Sequence, residues 1–230
     1  MKNVVVFTGA GISAESGVKT FRDDDGLWRN YRFEEVASPT AWHSDPELVL
    51  EFYNIRRKQL LEVSPNPAHL ALVKLEEKFK VQIITQNVDD LHERAGSKNV
   101  FHLHGEIRKS RSTVDPELIY NIEGWELKLG DTCEKGSQLR PHVVWFGEQV
   151  DHFSAATGIA AKADIFIVIG TSLVVYPAAG LIDFVPDLAP KYLIDPKAKT
   201  PWGIQNLTVI QEKAGKGVPE LFESLLNAEK

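Results

Sequence analysis

Short, almost wholly apolar runs alternate along this chain with longer stretches of helical period. Lys2 to Thr8 is β-branched and apolar and stops at Gly9, which predicts a buried strand. Lys80–Thr85, Asn99–His104, Asp164–Ile169, Lys191–Ile194 and Leu207–Ile210 read the same way and complete a set of about six. Helical spacing runs through Asp45–Leu61, Pro65–Lys78 (Leu70, Val73 and Leu75 among its apolar positions), the Ala-rich Ser154–Lys162 and Val218–Ala228. Strands with two apolar faces, alternating with helices, predict an α/β fold: a mostly parallel sheet covered by helices on both faces. Two stretches break the alternation, Val18 to about Ser64 and Glu106 to Arg140. Long strandless segments in a compact domain usually have a function, so the pair is expected to form a smaller inserted lobe. The sheet-bearing part then covers about 1–20, 65–105 and 141–230, and the small lobe about 21–64 and 106–140.

Composition narrows the classes. The 230 residues are 43% hydrophobic and 25% charged, ample for a core and unlike a disordered chain. A net charge of −6 argues against a general nucleic-acid binder. The single cysteine, Cys133, excludes an internal disulfide framework and a multi-cysteine metal site. Apolar runs stay well short of the ~18 residues that span a bilayer, and Val4–Phe7 is too short for a secretory core. A cytoplasmic protein without membrane or nucleic-acid partners is expected.

Gly9-Ala10-Gly11-Ile12-Ser13-Ala14 directly follows the first strand and fits G-x-G-x-x-A, the dinucleotide fingerprint. Glycines there permit a tight turn and close backbone approach to a pyrophosphate; a plain βα turn would use the same residues. The usual continuation, a second strand with a ribose-binding acid roughly 20 residues on, is missing. Thr20–Trp28 cannot be a buried strand, so the loop after the first helix is elaborated, as a lid would be.

Further blocks make the pattern specific. Gly9–Gly17 with Thr20-Phe-Arg-Asp23 and Gly26-Leu-Trp28, Thr85–His92 with Ala95-Gly96, His102-Leu-His-Gly105, Val143–Glu148 and Gly170–Pro177 occur in order along nearly the whole chain. Together they resemble the sirtuin family, whose members are NAD-dependent protein lysine deacylases. The resemblance implies one catalytic domain: a Rossmann-like large part, a small lobe, and a cleft that NAD and acyl-lysine enter from opposite sides. Acylated proteins or peptides would be the partners, and the chain is expected to be a monomer.

What the resemblance implies for single residues follows the blocks. His104 would be the general base, accepting a proton from a ribose hydroxyl as the acyl oxygen takes C1′ and nicotinamide leaves. Histidine suits this because it titrates near working pH. His102 lies on the same side of a regular strand, and periodicity does not separate the two. Asn87 would orient the nicotinamide ribose, Asp89 would bind the carboxamide and Gln86 the ribose; Asn-x-Asp after a strand is also a common helix cap. Phe21 would shield C1′ and Arg22 anchor the loop near phosphate. Gly9, Ala10, Gly11, Glu15, Gly170, Thr171, Ser172 and Ala214 would line the cofactor. Asp195 stands where many members carry Asn, and it can still accept from an adenosine ribose hydroxyl. Val143–Phe146 should be extended and pair with the substrate backbone as an added strand, with Val144 and Phe146 lining the acyl-lysine tunnel.

Tyr53 and Arg56 lie i, i+3 on a predicted helix and share a face. A phenol with a guanidinium fork makes a carboxylate receptor, although such a pair is ordinarily just a solvated helix face. Within this family, Tyr-x-x-Arg resembles the class that removes succinyl, malonyl and glutaryl groups, so desuccinylation and demalonylation alongside deacetylation are expected.

The sequence departs from the family in one respect. Most members hold a structural zinc on four cysteines, and Glu106–Arg140 contains only Cys133. Tetrahedral zinc needs four ligands, which Cys133 and His142 do not supply, so no zinc is expected; Leu118, Ile119, Ile122, Trp125 and Leu127 would hold the lobe by packing. Rival readings are a hydride-transferring dehydrogenase, a non-catalytic NAD or ADP-ribose sensor, and an ADP-ribosyltransferase.

Overall fold

The computed structural model describes residues 1–18, 31–171, 173, 178–198 and 203–228. In chain order come β1 (Asn3–Thr8), α1 (Gly11–Ala14), α2 (Phe33–Val36), α3 (Pro39–Ser44), α4 (Pro46–Glu62) and α5 (Pro67–Leu75). Then follow β2 (Lys80–Thr85), α6 (Leu91–Ala95), β3 (Val100–His102), β4 (Gly105–Ser112), β5 (Ile119–Asn121) and β6 (Leu139–Val143). The chain continues through α7 (Phe153–Ala160), β7 (Ile165–Ile169), a 3₁₀ segment Ala178–Phe184, β8 (Lys191–Ile194), β9 (Leu207–Ile210) and α8 (Ala214–Ala228).

Six strands form one sheet in the order β3-β2-β1-β7-β8-β9, and every pair is parallel. Strand order reverses beside β1, between its neighbours β2 and β7. Open α/β sheets bind ligands at such a switch, beyond the carboxyl ends of the strands. Alternate residues of each strand enter two cores. Val4, Val6, Ile83 and Ile167 face one, with α5 and α8; Val5, Phe7, Ile84 and Phe166 face the other, with α7 and the 3₁₀ segment. This two-faced burial is why the strands read as continuous apolar runs.

Helix starts follow local chemistry. Asp45 caps α4, its carboxylate accepting from Leu48 N at 2.9 Å, with Pro46 in the first turn. Asn66 caps α5 the same way through Ala68 N at 2.9 Å, with Pro67 next. α8 begins four positions before the expected Val218, because the Glu15 carboxylate accepts from Gly215 N at 2.7 Å and completes its first turn.

The stretch expected to lack strands contains a second sheet. β5, β4 and β6 pair antiparallel; their buried positions include Ser110, Ser112 and Arg140 beside Ile107 and Val143, so the sheet hides in a polar sequence. The division expected near 141 falls inside β6, and the chain rejoins the parallel sheet only at β7. Ile122 and Leu127 are buried as expected, whereas Ile119 and Trp125 are exposed and Leu118 is half-buried. The main core of this part lies between α2–α4 and β4/β6, where Phe52, Tyr53, Ile107, Val143 and Trp145 meet.

Candidate active site

One register row crosses the parallel sheet at its carboxyl end: His102, Thr85, Thr8, Ile169, Ile194 and Ile210. The candidate cofactor residues stand just beyond it: His104 after β3, Gln86 and Asn87 after β2, Gly9–Gly11 after β1, Gly170 and Thr171 after β7, Asp195 after β8. The parallel pairing brings together residues scattered over more than a hundred positions of sequence.

The turn after β1 presses against the end of β7. Gly11 N donates to Gly170 O at 2.8 Å, and Gly9 N to Ile169 O at 3.0 Å. A Cβ on Gly11 would lie 2.6 Å from Gly170 Cα, and one on Gly170 would lie 2.3 Å from Ile12 N, so the approach needs glycine on both sides. Ala10 is exposed, and Ala214 is buried at the head of α8. Glu15 is spent as the α8 cap. Thr171 Oγ1 accepts from Leu173 N at 3.3 Å, and Asp195 Oδ1 accepts from Lys197 N at 2.8 Å. Phe21, Arg22 and Ser172 lie outside the described residues.

Asn87 is held from all sides. Its side-chain amide donates to Gly9 O and to Ser13 Oγ, both at 3.2 Å, and its backbone N donates to Thr85 Oγ1 at 3.0 Å. Its Oδ1 has no partner among the described residues and can accept a hydroxyl. Asp89 takes bonds from Ser13 Oγ (2.9 Å) and Leu91 N (3.2 Å), so it does help start α6. Burial raises its pKa, partly offset by these bonds. Ser13 therefore links the glycine turn to both residues, a role that sequence reasoning missed; its only sequence signal is its place within the fingerprint.

The structure separates the two histidines. β3 ends at His102, two residues short of the expected His104. His102 Nδ1 donates to Asn87 O at 2.9 Å, and Nε2 to Glu93 at 2.8 Å. Burial alone would lower its pKa, but the Glu93 carboxylate wins and raises it, so this ring is a fixed donor at both nitrogens. His104 Nδ1 lies 3.1 Å from Gln86 O. A carbonyl can only accept, so Nδ1 carries the proton and Nε2 keeps its lone pair. Nε2 has no partner among the described residues. Burial holds the His104 pKa below its ordinary value, and the bond to Gln86 O opposes this. The result is a neutral, oriented imidazole with its basic nitrogen unused.

On α4, Tyr53 and Arg56 do share a face: the Arg56 guanidinium carbon is 6.0 Å from the Tyr53 ring centre. Tyr53 is 1% exposed, and its hydroxyl accepts from Trp145 Nε1 at 3.1 Å. Burial raises the Tyr53 pKa, with the nearby Arg56 opposing. Burial also lowers that of Arg56, with Tyr53 and Asp89 opposing. The adjacent Arg57, to which sequence reasoning gave no role, is fully buried.

The expected extended span Val143–Phe146 is cut short, because β6 ends at Val143 and a turn follows through Gly147, at φ 91°. Val144 N donates to His104 O (2.9 Å), Trp145 N to Glu148 Oε2 (2.7 Å) and Phe146 N to Ala37 O (3.0 Å). These three amides are occupied within the protein. Val144 is half-buried, and the Phe146 ring packs on Phe33 at 4.7 Å. Cys133 is buried, with its thiol 3.3 Å from Ser112 Oγ. Among the described residues, no group of three or more His, Cys, Asp or Glu could hold a metal ion, and no helix is long and apolar enough to cross a membrane.

A parallel sheet with a glycine turn at its switch point, and a carboxamide, a carboxylate and an imidazole beyond the carboxyl ends of its strands, defines an α/β protein with polar groups where such sheets bind ligands. Comparison with known proteins identifies the family. Residues 9–177 match the Sir2 family, and the chain belongs to it. It is 53% identical over 233 residues to an "NAD-dependent protein deacylase" of Bacteroides thetaiotaomicron, covering 99% of this chain and 100% of that one. It is also 53% identical over 226 residues to one of Helicobacter pylori, covering 98% of each. A crystal structure of a Sir2 homologue–NAD complex superposes with a TM-score of 0.88 at 43% identity, covering 100% of this chain and 91% of that one. A Sir2 mutant bound to deacetylated p53 peptide and 3′-O-acetyl ADP ribose gives 0.81 at 33% identity, covering 96% and 92%.

Proposed function

We propose that this chain is an NAD-dependent protein lysine deacylase that removes succinyl and malonyl groups as well as acetyl, releasing nicotinamide and O-acyl-ADP-ribose. The observation that carries the reading is His104: its Nδ1 is tied to Gln86 O, and its Nε2 is left unprotonated, with no partner among the described residues. The site suits NAD. Backbone without side chains lies at Gly9, Gly11 and Gly170, and polar groups that recognise hydroxyls and amides lie at Gln86, Asn87, Thr171 and Asp195. When bound, NAD would supply the C1′ carbon that takes the acyl oxygen as nicotinamide departs. Asn87 Oδ1 would then accept from the ribose, Asp89 would bind the carboxamide, and His104 Nε2 would take the hydroxyl proton. Phe21, Arg22 and Ser172 complete the cofactor reading by resemblance.

Acylated-lysine peptides are the proposed substrates, as the neighbour with a deacetylated peptide suggests, and the cytoplasm is the proposed compartment. Because the amides at 144–146 are occupied, a peptide would meet this segment through its carbonyls and the side chains of Val144 and Phe146. Tyr53 and Arg56 are two donors on one helix face, a fit for a terminal carboxylate on the acyl group. The small lobe is proposed to need no zinc; a stoichiometric metal signal in dialysed protein would overturn that.

The test is one peptide in acetyl-lysine and succinyl-lysine forms, with and without NAD. NAD-dependent removal of both, with Arg56→Met lowering desuccinylation more than deacetylation, is expected. Equal losses in Arg56→Met would refute the acyl pocket. No NAD-dependent activity on either form would refute the enzyme reading and leave a sensor. Transfer of labelled ADP-ribose to protein as the main product would favour the transferase alternative.

A further inference from the structure

Trp145 sits between the Arg140–Glu148 ion pair and the Tyr53 hydroxyl. An indole N–H can only donate, so the 3.1 Å contact from Trp145 Nε1 to Tyr53 Oη has one possible direction. It occupies an acceptor lone pair of the phenol and turns the phenolic proton elsewhere. That proton has no acceptor among the described residues, although Tyr53 is 1% exposed. A buried donor without an acceptor is unfavourable unless a ligand completes it.

Trp145 is itself held tightly. Its backbone N donates to Glu148 Oε2 at 2.7 Å, and the Arg140 guanidinium carbon stands 3.3 Å from its ring centre. Arg140 donates to both oxygens of Glu148, at 2.6 and 3.0 Å, and to Val143 O at 2.9 Å. Trp42 flanks the ring, with centroids 5.7 Å apart. The indole therefore has little freedom to turn, and its N–H direction is set by the backbone and by the ion pair.

We propose that Trp145 is a positioning residue for acyl selectivity: by donating to Tyr53 it aims the phenolic proton into the acyl pocket, where an acceptor-only group such as a terminal carboxylate completes it. This rests on the reading above that Tyr53 and Arg56 receive the acyl carboxylate. An acetyl methyl offers no acceptor, so Trp145 acts on the choice between acyl groups. Burial raises the Tyr53 pKa and keeps the phenol a donor at neutral pH.

Trp145→Phe keeps an aromatic ring against Arg140 and removes the N–H. One net hydrogen bond corresponds to roughly a three- to tenfold effect. The ratio of kcat/KM for succinyl-lysine to that for acetyl-lysine should fall by about that factor, carried mainly by KM for the succinyl peptide. In a Tyr53→Phe background the same substitution should change the ratio by less than about twofold. Where Trp145→Phe folds poorly, benzothienylalanine at 145 replaces the N–H by sulfur at constant shape and should give the same fall. An unchanged ratio overturns the proposal, as does a fall of equal size in the Tyr53→Phe background, which would mean plain core support. If Tyr53→Phe and Arg56→Met also leave the ratio unchanged, the acyl-carboxylate reading itself fails.

Discussion

Arg56 and Arg57 are neighbours in sequence, and the fold gives them different surroundings. Arg57 is fully buried, facing the second sheet. Its Nε donates to Ile107 O at 2.7 Å, and its Nη1 donates to Asn54 Oδ1 at 2.7 Å and to Trp125 O at 2.5 Å. Asn54 also exchanges two bonds of 2.9 Å with the backbone of Leu127, so the pair ties α4 to the 125–127 segment. Burial, with Arg108 adding repulsion, lowers the Arg57 pKa from 12.5 to about 10. That fall corresponds to about 3 kcal/mol against the buried cation. Three hydrogen bonds from a charged donor contribute about 1.5–3 kcal/mol each. Arg57→Met removes both effects and takes the Arg57 donor from Ile107 O and Trp125 O, while Asn54 Oδ1 keeps Leu127 N, so the net loss should be about 3–5 kcal/mol. For a chain of this size that lowers Tm by roughly 6–20 °C. Differential scanning fluorimetry and urea unfolding would measure it, with Arg56→Met as the comparison, expected to move Tm by less than about 3 °C. A Tm within about 2 °C of the parent for Arg57→Met would refute the reasoning.

Further predictions follow from the same geometry. His104→Asn should lower kcat by about 10²–10⁴ while circular dichroism and Tm stay near the parent; a loss under tenfold would remove His104 as the base. Burial lowers the His104 pKa, so the acid limb of the rate profile should have its midpoint below pH 6.5, and a midpoint above pH 7 would contradict the assignment. His69 is buried and neutral, its pKa lowered from 6.5 to about 4 by burial. The unfolded chain binds that proton first, so stability is full above pH 6.5 and declines as pH falls towards 4. His69 alone should account for about 2 kcal/mol between pH 7 and pH 5, and His92, also pushed well down by burial, adds to the same decline. Equal urea midpoints at the two pH values would refute this. Gly105 has φ 79°, and a Cβ there would lie 2.2 Å from His142 O; Gly105→Ala should cost more than about 2 kcal/mol, read as a lower urea midpoint.

Much of the parallel sheet was legible because its signal is local. A strand buried on both faces must be apolar at consecutive positions, and the runs at Val4–Phe7 and Ile165–Ile169 show it directly. The caps Asp45 and Asn66 are visible for the same reason, since a cap acts within three residues. The second sheet was not legible. β4 reads Gly-Glu-Ile-Arg-Lys-Ser-Arg-Ser, and its partners β5 and β6 lie on either side in sequence, so only tertiary pairing distinguishes it from a polar loop. The turn at Phe146–Gly147 was missed because Val143–Phe146 is apolar enough to read as extended.

The sequence by itself determined the fold class, the glycine turn after β1, the family blocks and the residues worth testing, because spacing and side-chain type act over a few positions. Tertiary structure decided what each side chain touches. It distinguished His104 from His102 by giving one a single carbonyl partner and the other a carbonyl and a carboxylate. It spent Glu15 on α8, placed Ser13 between Asn87 and Asp89, buried Arg57 fully beside a partly buried Arg56, and set Trp145 against Tyr53. All of these join positions distant in sequence, and a hydrogen bond needs its partners within about 3 Å at the right angle. Only the folded backbone supplies that condition.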